Sequence, residues 1–196
     1  MFIKKIAVLF SGSGTNLENL LEKLHQKEFG EMKIEVVKTI CNNPNAKGIQ
    51  RSRKYGIEPV VIDHKLYKSR EEFDAILVDE IKKSGVDLTV LAGFMRFLTP
   101  IFTKNIEAIN LHPSLLPLFK GGHAIEDSYN SNMKVGGITV HFVNEELDGG
   151  AIIAQNCFEK RPGMSIEEYE KIIHRLEYKL LPETIISLLS EKAKNP

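Results

Sequence analysis

The chain has few of the residues that mark specialised classes of protein. It has no tryptophan and only two cysteines, Cys41 and Cys157, which lie far apart and lack the spacing of a metal site. No disulfide framework is indicated, and no metal is expected. Lys and Arg together number 26, as do Asp and Glu, so the formal net charge is zero. This balance argues against a basic coat for nucleic acid or a cationic patch for a membrane.

Long apolar runs are also missing. No stretch approaches the roughly 18 residues that span a bilayer. The first residues, Met1 to Lys5, lack the apolar core and the cleavage site of a signal peptide. We therefore expect a cytoplasmic protein. The 196 residues, 42% of them hydrophobic, suffice for the core of a single domain over residues 1–196.

The chain does contain a regular alternation of short apolar runs and amphipathic segments. The apolar runs predict buried strands at residues 6–10, 34–40, 59–62 and 88–93. Helical spacing predicts helices at residues 16–27, 47–55 and 70–83. This order predicts an α/β fold with an open, doubly wound, Rossmann-like sheet that is mostly parallel and has helices on both faces.

The pattern changes after residue 112. Residues 138–143 and 151–155 predict paired strands around an acidic loop that glycines close. Residues 165–189 predict a long C-terminal helix, with Ser165 and Glu168 as a capping box at its start. Pro182 is expected to kink or divide that helix, because proline removes a backbone donor and clashes with the preceding turn.

The most informative stretch is Asn110-Leu111-His112-Pro113-Ser114-Leu115-Leu116-Pro117, at the end of an apolar run. Pro113 stops the strand because it has no backbone N–H. Residues two apart in a strand point to the same side, so Asn110 and His112 are predicted to face one small volume. An uncharged amide donor beside an imidazole suits a reaction in which a carbonyl oxygen gains negative charge while a proton moves.

Asp148 is the third candidate for this chemistry. It follows a short acidic loop and precedes two glycines, which would let it approach the end of the strand. An aspartate stabilises a nearby imidazolium, so we expect Asp148 to raise the pKa of His112. Asn110 and protonated His112 would then stabilise an oxyanion, while Asp148 orients His112 and assists proton transfer. His141 alternates within a predicted strand and is interpreted as structural.

These residues resemble the signature of the folate-dependent formyltransferases, Asn-x-His-x-Ser-Leu-Leu-Pro followed about 36 residues later by an aspartate. The resemblance runs from Ile6 to about Leu189 and is strongest to the members that formylate glycinamide ribonucleotide in purine synthesis. It implies transfer of the formyl group of 10-formyltetrahydrofolate, a co-substrate, to the amine of that ribonucleotide by direct attack. Both expected partners are small molecules, without nucleic acid or membrane, and a monomer or weak homodimer is expected.

A glycine-rich turn from Ser11 to Gly14 precedes the first predicted helix, where backbone N–H groups favour an anion. The dinucleotide pattern fails because Leu17 stands at the third glycine position, and the Walker pattern fails as well. A nest for one phosphate and a plain tight turn both remain open. The resemblance implies a phosphate-binding half of about residues 1–100 and a folate and catalytic half of about 101–196.

The resemblance also implies roles for individual binding residues. Those implied to bind the ribonucleotide are Gly14, Thr15, Asn16 and Glu177, the last through the ribose hydroxyls. Those implied to bind the folate are Arg70, Met95, Arg96, Phe97, Leu98 and Asn110, with Arg70 near the benzoyl-glutamate tail. His123 and His174 are further candidates near these ligands.

Other functions share parts of this pattern. The principal alternative is 10-formyltetrahydrofolate hydrolase, which shares the Asn, His and Asp but usually carries an extra N-terminal regulatory domain. Methionyl-tRNA formyltransferase adds a basic C-terminal domain, and the sugar-nucleotide formyltransferases are longer chains. A non-catalytic nucleotide-binding module would need Asn110, His112 and Asp148 to coexist by chance. An assay of formyl loss with and without the amine acceptor separates these functions.

Overall fold

The computed structural model describes residues 1–194. Its strands are β1 Phe2–Phe10, β2 Lys27–Phe29, β3 Met32–Cys41, β4 Val60–Val61, β5 Leu88–Leu91, β6 Ala108–His112, β7 Val135–Phe142 and β8 Ile152–Glu159. Its α-helices are α1 Thr15–Leu24, α2 Gly48–Lys54, α3 Arg70–Lys82, α4 Pro100–Thr103, α5 Ala124–Asn130 and α6 Ile166–Lys194. Among these helices, none is long and apolar enough to cross a membrane.

One sheet joins the strands in the order β2-β3-β1-β5-β6-β7-β8, with β4 paired to β3. The central pairs β3–β1, β1–β5 and β5–β6 are parallel, whereas β7 and β8 are added antiparallel. The predicted doubly wound, mostly parallel sheet is therefore confirmed. β6 ends at His112, immediately before Pro113, and β7 places His141 opposite Asn110.

The core forms two layers, one on each face of the sheet. Helices α1 and α6 pack on one face around residues such as Phe10 and Tyr169. Helices α3 and α4 cover the other face through Phe73 and Phe102. Successive residues of β1 alternate between the layers, as side chains of a strand must. Burial on both faces explains why the central strands read as continuous apolar runs.

The structure differs from the predicted helices at two notable places. The first helix ends at Leu24 rather than at residue 27, because β2 follows and pairs antiparallel with β3. Pro182 does not divide the C-terminal helix, which runs as one element from Ile166 to Lys194. Buried Leu181 and Ile185 hold both sides of the proline against the core, which offsets a local cost of about 3 kcal/mol.

The predicted start of α6 is confirmed. The Ser165 N–H donates to Glu168 Oε2 at 3.2 Å, and the Glu168 N–H donates to Ser165 Oγ at 3.3 Å. This reciprocal pair satisfies two backbone donors that a helix start otherwise leaves open. The cap fixes where α6 begins, and therefore where the helix later presents Glu177.

Candidate active site

Three predicted side chains converge at the carboxyl end of β6. His112 Nδ1 lies 3.4 Å from Asp148 Oδ2. Asn110 Nδ2 lies 3.5 Å from Asp148 Oδ1. His112 and Asp148 are both nearly buried, at 5% and 8% side-chain exposure. The amide, the imidazole and the carboxylate therefore share one small volume, as the strand alternation predicted.

The loop that carries Asp148 is shaped by backbone constraints. Asp148 adopts φ 49°, a left-handed conformation that aspartate tolerates better than most residues. A Cβ at Gly150 would lie 1.7 Å from the carbonyl oxygen of Phe142, so only glycine fits there. The Gly121 N–H donates to Asp148 Oδ2 at 2.8 Å, and Lys120 pairs with Glu146 at 2.6 Å. Two loops thus hold each other and keep the carboxylate at the strand end.

The pKa of His112 is lowered by burial, which outweighs the predicted effect of Asp148. Asp148 and the carbonyl of Phe119 both act to raise it. His112 Nε2 lies 2.8 Å from that carbonyl oxygen, so each ring nitrogen faces an acceptor. A neutral imidazole carries one N–H and satisfies only one of these acceptors. The surroundings therefore suit the imidazolium, while burial keeps the resting ring neutral.

Asp148 stays ionised in the same surroundings. Its burial acts to raise the pKa of the carboxyl, but the Gly121 N–H and the neighbouring His141 and His112, when they are protonated, lower it by more. The net result is a pKa below the usual value for aspartate. A neutral ring beside a charged carboxylate is an arrangement that accepts a proton from a substrate.

His141 belongs to this site, and the structural interpretation drawn from the sequence missed it. Its Nε2 lies 3.2 Å from Asn110 Nδ2 and 3.6 Å from Asp148 Oδ1. Its Nδ1 lies 2.9 Å from the carbonyl oxygen of Phe142, and the tautomer that donates Nδ1–H to this carbonyl leaves Nε2 free to accept from Asn110. The strand register carried the signal, because β7 pairs with β6 and sets His141 opposite Asn110.

A cavity of about 350 Å³ opens beside these polar groups. Its walls include Asn110, His112, His141 and Asp148 together with the loop 93–98 that follows β5. Two side chains of that loop are unusually exposed for apolar residues, Met95 at 72% and Phe97 at 54%. An exposed apolar surface beside buried polar groups is typical of a site for a flat, largely apolar ligand.

Most of the residues that the resemblance assigns to the folate lie on that loop. Met95, Arg96, Phe97 and Leu98 all line the cavity. Arg70 lies on the first turn of α3, and its guanidinium carbon is 5.3 Å from the centre of the Phe97 ring. His123 does not line the cavity; its side chain is 81% exposed, and its Nδ1 lies 3.7 Å from Glu126 Oε2.

The residues assigned to the ribonucleotide form a second group. Gly14 has φ 72°, and a Cβ there would lie 2.6 Å from the Cα of Gly48, so the turn depends on glycine. Asn16 Nδ2 donates to Glu177 Oε2 at 3.1 Å. Glu177 is buried at 5% exposure rather than solvated. His174 Nδ1 donates to the same Oε2 at 2.9 Å, and this bond raises the pKa of His174.

The two groups are linked through the turn after β1. Ser11 Oγ accepts from the Met95 N–H at 2.7 Å, and the Ser11 N–H donates to the Gly93 carbonyl at 3.0 Å. The turn from Ser11 to Gly14 and the cavity wall are therefore braced against each other. Both lie where parallel strands end, the position at which open α/β sheets bind ligands.

The sheet topology and the Asn–His–Asp corner define the class of an α/β enzyme whose site is suited to stabilising an oxyanion and moving a proton next to an apolar cavity. The comparison with protein families is more specific. The formyl transferase family model matches residues 4–185, and the chain belongs to that family.

Individual relatives agree with this assignment. Phosphoribosylglycinamide formyltransferase of Bacillus subtilis (strain 168) is 35% identical over 189 residues, which cover 95% of each chain. The trifunctional purine biosynthetic protein adenosine-3 of Drosophila melanogaster is 38% identical over 97% of this chain, which spans 14% of that longer protein. The crystal structure of phosphoribosylglycinamide formyltransferase from Campylobacter jejuni subsp. jejuni NCTC 11168 is 62% identical, with a TM-score of 0.94 over 96% of this chain and 98% of that chain.

Proposed function

We propose that this chain transfers the formyl group of 10-formyltetrahydrofolate to the amine of glycinamide ribonucleotide, a step of de novo purine (IMP) synthesis in the cytoplasm. The observation that carries the proposal is the meeting of Asn110, His112 and Asp148 at one wall of the apolar cavity. Relatives named for this reaction, matched over nearly their whole length, support it.

The reaction begins when the amine nitrogen attacks the formyl carbon. The carbonyl electrons move to oxygen, which becomes an oxyanion, while the nitrogen becomes positively charged. We assign to that oxygen the N–H of Asn110 whose contact to Asp148 Oδ1 is long, at 3.5 Å, because the other N–H is held by Nε2 of His141. A donor that is already oriented stabilises the developing charge without reorganisation.

His112 completes the proton transfer. Neutral at rest, with its Nε2–H donated to the Phe119 carbonyl, it takes at Nδ1 the proton that the attacking nitrogen releases and that Asp148 relays. It then becomes an imidazolium between Asp148 and that carbonyl. Its positive charge stabilises the oxyanion, and Asp148 in turn stabilises the imidazolium. The proton then passes to the leaving folate nitrogen as the carbon–nitrogen bond breaks and the carbonyl reforms. The products are formylated ribonucleotide and tetrahydrofolate.

Binding roles follow the two groups of residues. We assign the pterin to the wall 95–98 and Asn110, and the benzoyl-glutamate tail to Arg70. We assign the phosphate to the turn Gly14 to Asn16 and the ribose hydroxyls to Oε1 of Glu177, since Oε2 is already shared by Asn16 and His174. Residues of about 1–100 thus contribute mainly phosphate binding and residues of about 101–196 mainly folate binding and chemistry. We expect a monomer or weak homodimer that works on these two small molecules.

The test is an assay of the purified chain with 10-formyltetrahydrofolate, with and without glycinamide ribonucleotide. We expect tetrahydrofolate and formylated ribonucleotide to appear in equal amounts, and only when the amine acceptor is present. Formyl loss at the same rate without the acceptor would instead identify a hydrolase. The Asn110→Ala variant serves as the control for uncatalysed transfer.

A further inference from the structure

One face of α3 contacts the loop that lines the cavity. Arg70, Phe73 and Asp74 lie at positions i, i+3 and i+4 of that helix and so share one side. Each contacts a different loop residue. The contacts are Arg70 over the Phe97 ring at 5.3 Å, Arg96 over the Phe73 ring at 5.5 Å, and the Thr99 N–H to Asp74 Oδ2 at 2.6 Å. We call residues 94–99 the wall loop.

Asp74 is the unusual member of this face. Its side chain is fully buried, at 0% exposure, although aspartate is rarely buried without a charged partner. A leucine or a methionine would serve the packing of α3 better, because burying a carboxylate costs free energy unless hydrogen bonds compensate. What the carboxylate adds is an acceptor for the backbone of Thr99, where the wall loop ends and α4 begins.

Incompletely satisfied polar atoms concentrate at the same place. Within residues 1–194, five buried side-chain atoms lack a hydrogen-bond partner, and three of them are Asp74 Oδ1, Arg96 Nε and Thr99 Oγ1. Such atoms are uncommon in folded proteins, and each costs about 1–3 kcal/mol. Their clustering behind the cavity wall indicates that this part of the core serves a purpose other than stability.

The wall loop is held at both ends by side-chain acceptors. Ser11 Oγ accepts from the Met95 N–H at 2.7 Å, and Asp74 Oδ2 accepts from the Thr99 N–H at 2.6 Å. The three cavity-lining residues between these points, Arg96 to Leu98, are therefore set by the two bonds. Burial raises the pKa of Asp74, while the Thr99 N–H and the charge of Arg96 oppose that rise. In the ionised form of Asp74 the Thr99 bond is charge-assisted.

We propose that Asp74 is a positioning residue for the formyl donor: by holding the Thr99 N–H, it fixes the wall loop in the shape that binds the folate. The inference rests on the proposed function, because it takes the cavity to be the folate site. Asp74 acts through the loop and takes no part in the chemical step. Its loss should therefore change the affinity for the donor rather than turnover.

The kinetic test compares Asp74→Ala and Asp74→Asn with Ser69→Ala. Ser69 caps the same helix through the Glu72 N–H at 3.1 Å, so Ser69→Ala weakens α3 at a point away from Thr99. We expect Asp74→Ala to raise the KM for 10-formyltetrahydrofolate about tenfold, the scale of one hydrogen bond to a charged group. kcat and the KM for the ribonucleotide should stay close to those of Ser69→Ala.

Asp74→Asn is the conservative rescue. Its amide oxygen can still accept from Thr99, so we expect it to recover most of the donor affinity. If the KM for the donor in Asp74→Ala matches that of Ser69→Ala, or if kcat and both KM values change together, Asp74 has only a structural role and the proposal is overturned. Should Asp74→Ala fail to fold, Asp74→Asn against Ser69→Ala decides, with an expected rise of about threefold because a neutral acceptor is roughly half as strong.

A measurement on the unaltered chain keeps the two proposals separate. Amide hydrogen exchange without ligands should show the Thr99 N–H protected well beyond its neighbours in the wall loop, because Asp74 holds it in a buried bond. Rapid exchange at Thr99 would overturn the positioning role even if the chain transfers formyl groups. Slow exchange in a chain without transfer activity would instead reject the proposed function and leave the anchoring of the loop standing.

Discussion

Two histidine–carboxylate pairs lie among the proposed site residues, and the pKa values of their histidines are shifted in opposite directions. In the catalytic pair, His112 Nδ1 lies 3.4 Å from Asp148 Oδ2, and both side chains are under 10% exposed. In the ribonucleotide pair, His174 Nδ1 lies 2.9 Å from Glu177 Oε2, and His174 is 47% exposed. Burial lowers the pKa of His112, whereas the short bond to Glu177 raises the pKa of His174.

The difference shows that a carboxylate neighbour alone does not set the charge of a histidine. Burial removes the hydration that stabilises a charged imidazolium, and a long contact with a carboxylate compensates for only part of that stabilisation. A half-exposed ring keeps its water and also gains a full hydrogen bond. The buried His112–Asp148 pair is therefore suited to receive a proton during a reaction, and the half-exposed His174 to remain in a fixed, ordered contact with Glu177.

The largest effects should come from breaking the catalytic pair and its amide neighbour. We expect Asn110→Ala to lower kcat about 10²–10³-fold, the usual result of removing one oxyanion donor. His112→Ala should lower kcat at least as much, because it removes both the group that accepts the proton and the positive charge that this group then carries. Steady-state kinetics with both substrates measures the loss.

Direct binding of the ribonucleotide is the control for these variants. Its Kd should stay near that of the unaltered chain, because Gly14 to Asn16 and Glu177 keep their own contacts. Near-normal turnover in either variant would show that the corner formed by Asn110, His112 and Asp148 is not where the chemistry occurs.

A smaller loss is expected from His141→Phe. The phenylalanine ring keeps the bulk but cannot accept from Asn110 Nδ2, which His141 Nε2 contacts at 3.2 Å. The amide is then free to turn, and misplacement of a catalytic group costs up to about 10²-fold. We expect a loss in kcat of about tenfold or more with little change in either KM. Turnover equal to that of the unaltered chain would return His141 to a purely structural role.

The sequence predicted more of this corner than of its surroundings, and the reason is physical. Alternation along one strand is a local rule, so the shared facing of Asn110 and His112 could be predicted without knowing the fold. The role of His141 depends on the register between β6 and β7, which no local pattern specifies. The lowered pKa of His112 could not be predicted, because burial depends on every element packed around the ring.

The same distinction applies to the fold. The central strands and the cap at Ser165 follow from composition and spacing over a few residues. The short strand β2 exists because it pairs with β3, and the continuity of α6 through Pro182 depends on packing against the sheet. The burial of Asp74 also arises from long-range contacts, because its partner Thr99 lies 25 residues away.

Changing the His174–Glu177 pair should affect the KM for the ribonucleotide rather than kcat. Glu177→Gln keeps the shape but removes the charge that Asn16 and His174 share at Oε2. We expect the KM for the ribonucleotide to rise about tenfold, the scale of a charge-assisted bond, while kcat and the KM for the folate change little. Measuring both KM values in this one variant tests whether the ribonucleotide and the folate are bound by separate groups of residues. A rise confined to the folate KM would contradict the assignment of Glu177.

The smallest expected effect is the pH dependence of stability, where the two histidines should act with opposite signs. The folded pKa of His112 lies below 6.5, so the unfolded chain binds the extra proton first and stability falls as pH drops through 6.5. The folded pKa of His174 lies above 6.5, so its contribution is complete below 6.5 and is lost as pH rises through that folded pKa. Urea unfolding of His174→Gln and His112→Gln across neutral pH isolates each remaining histidine. The free energy of unfolding of His174→Gln relative to His112→Gln should rise with pH, and a flat or falling difference would show that burial does not outweigh Asp148 at His112.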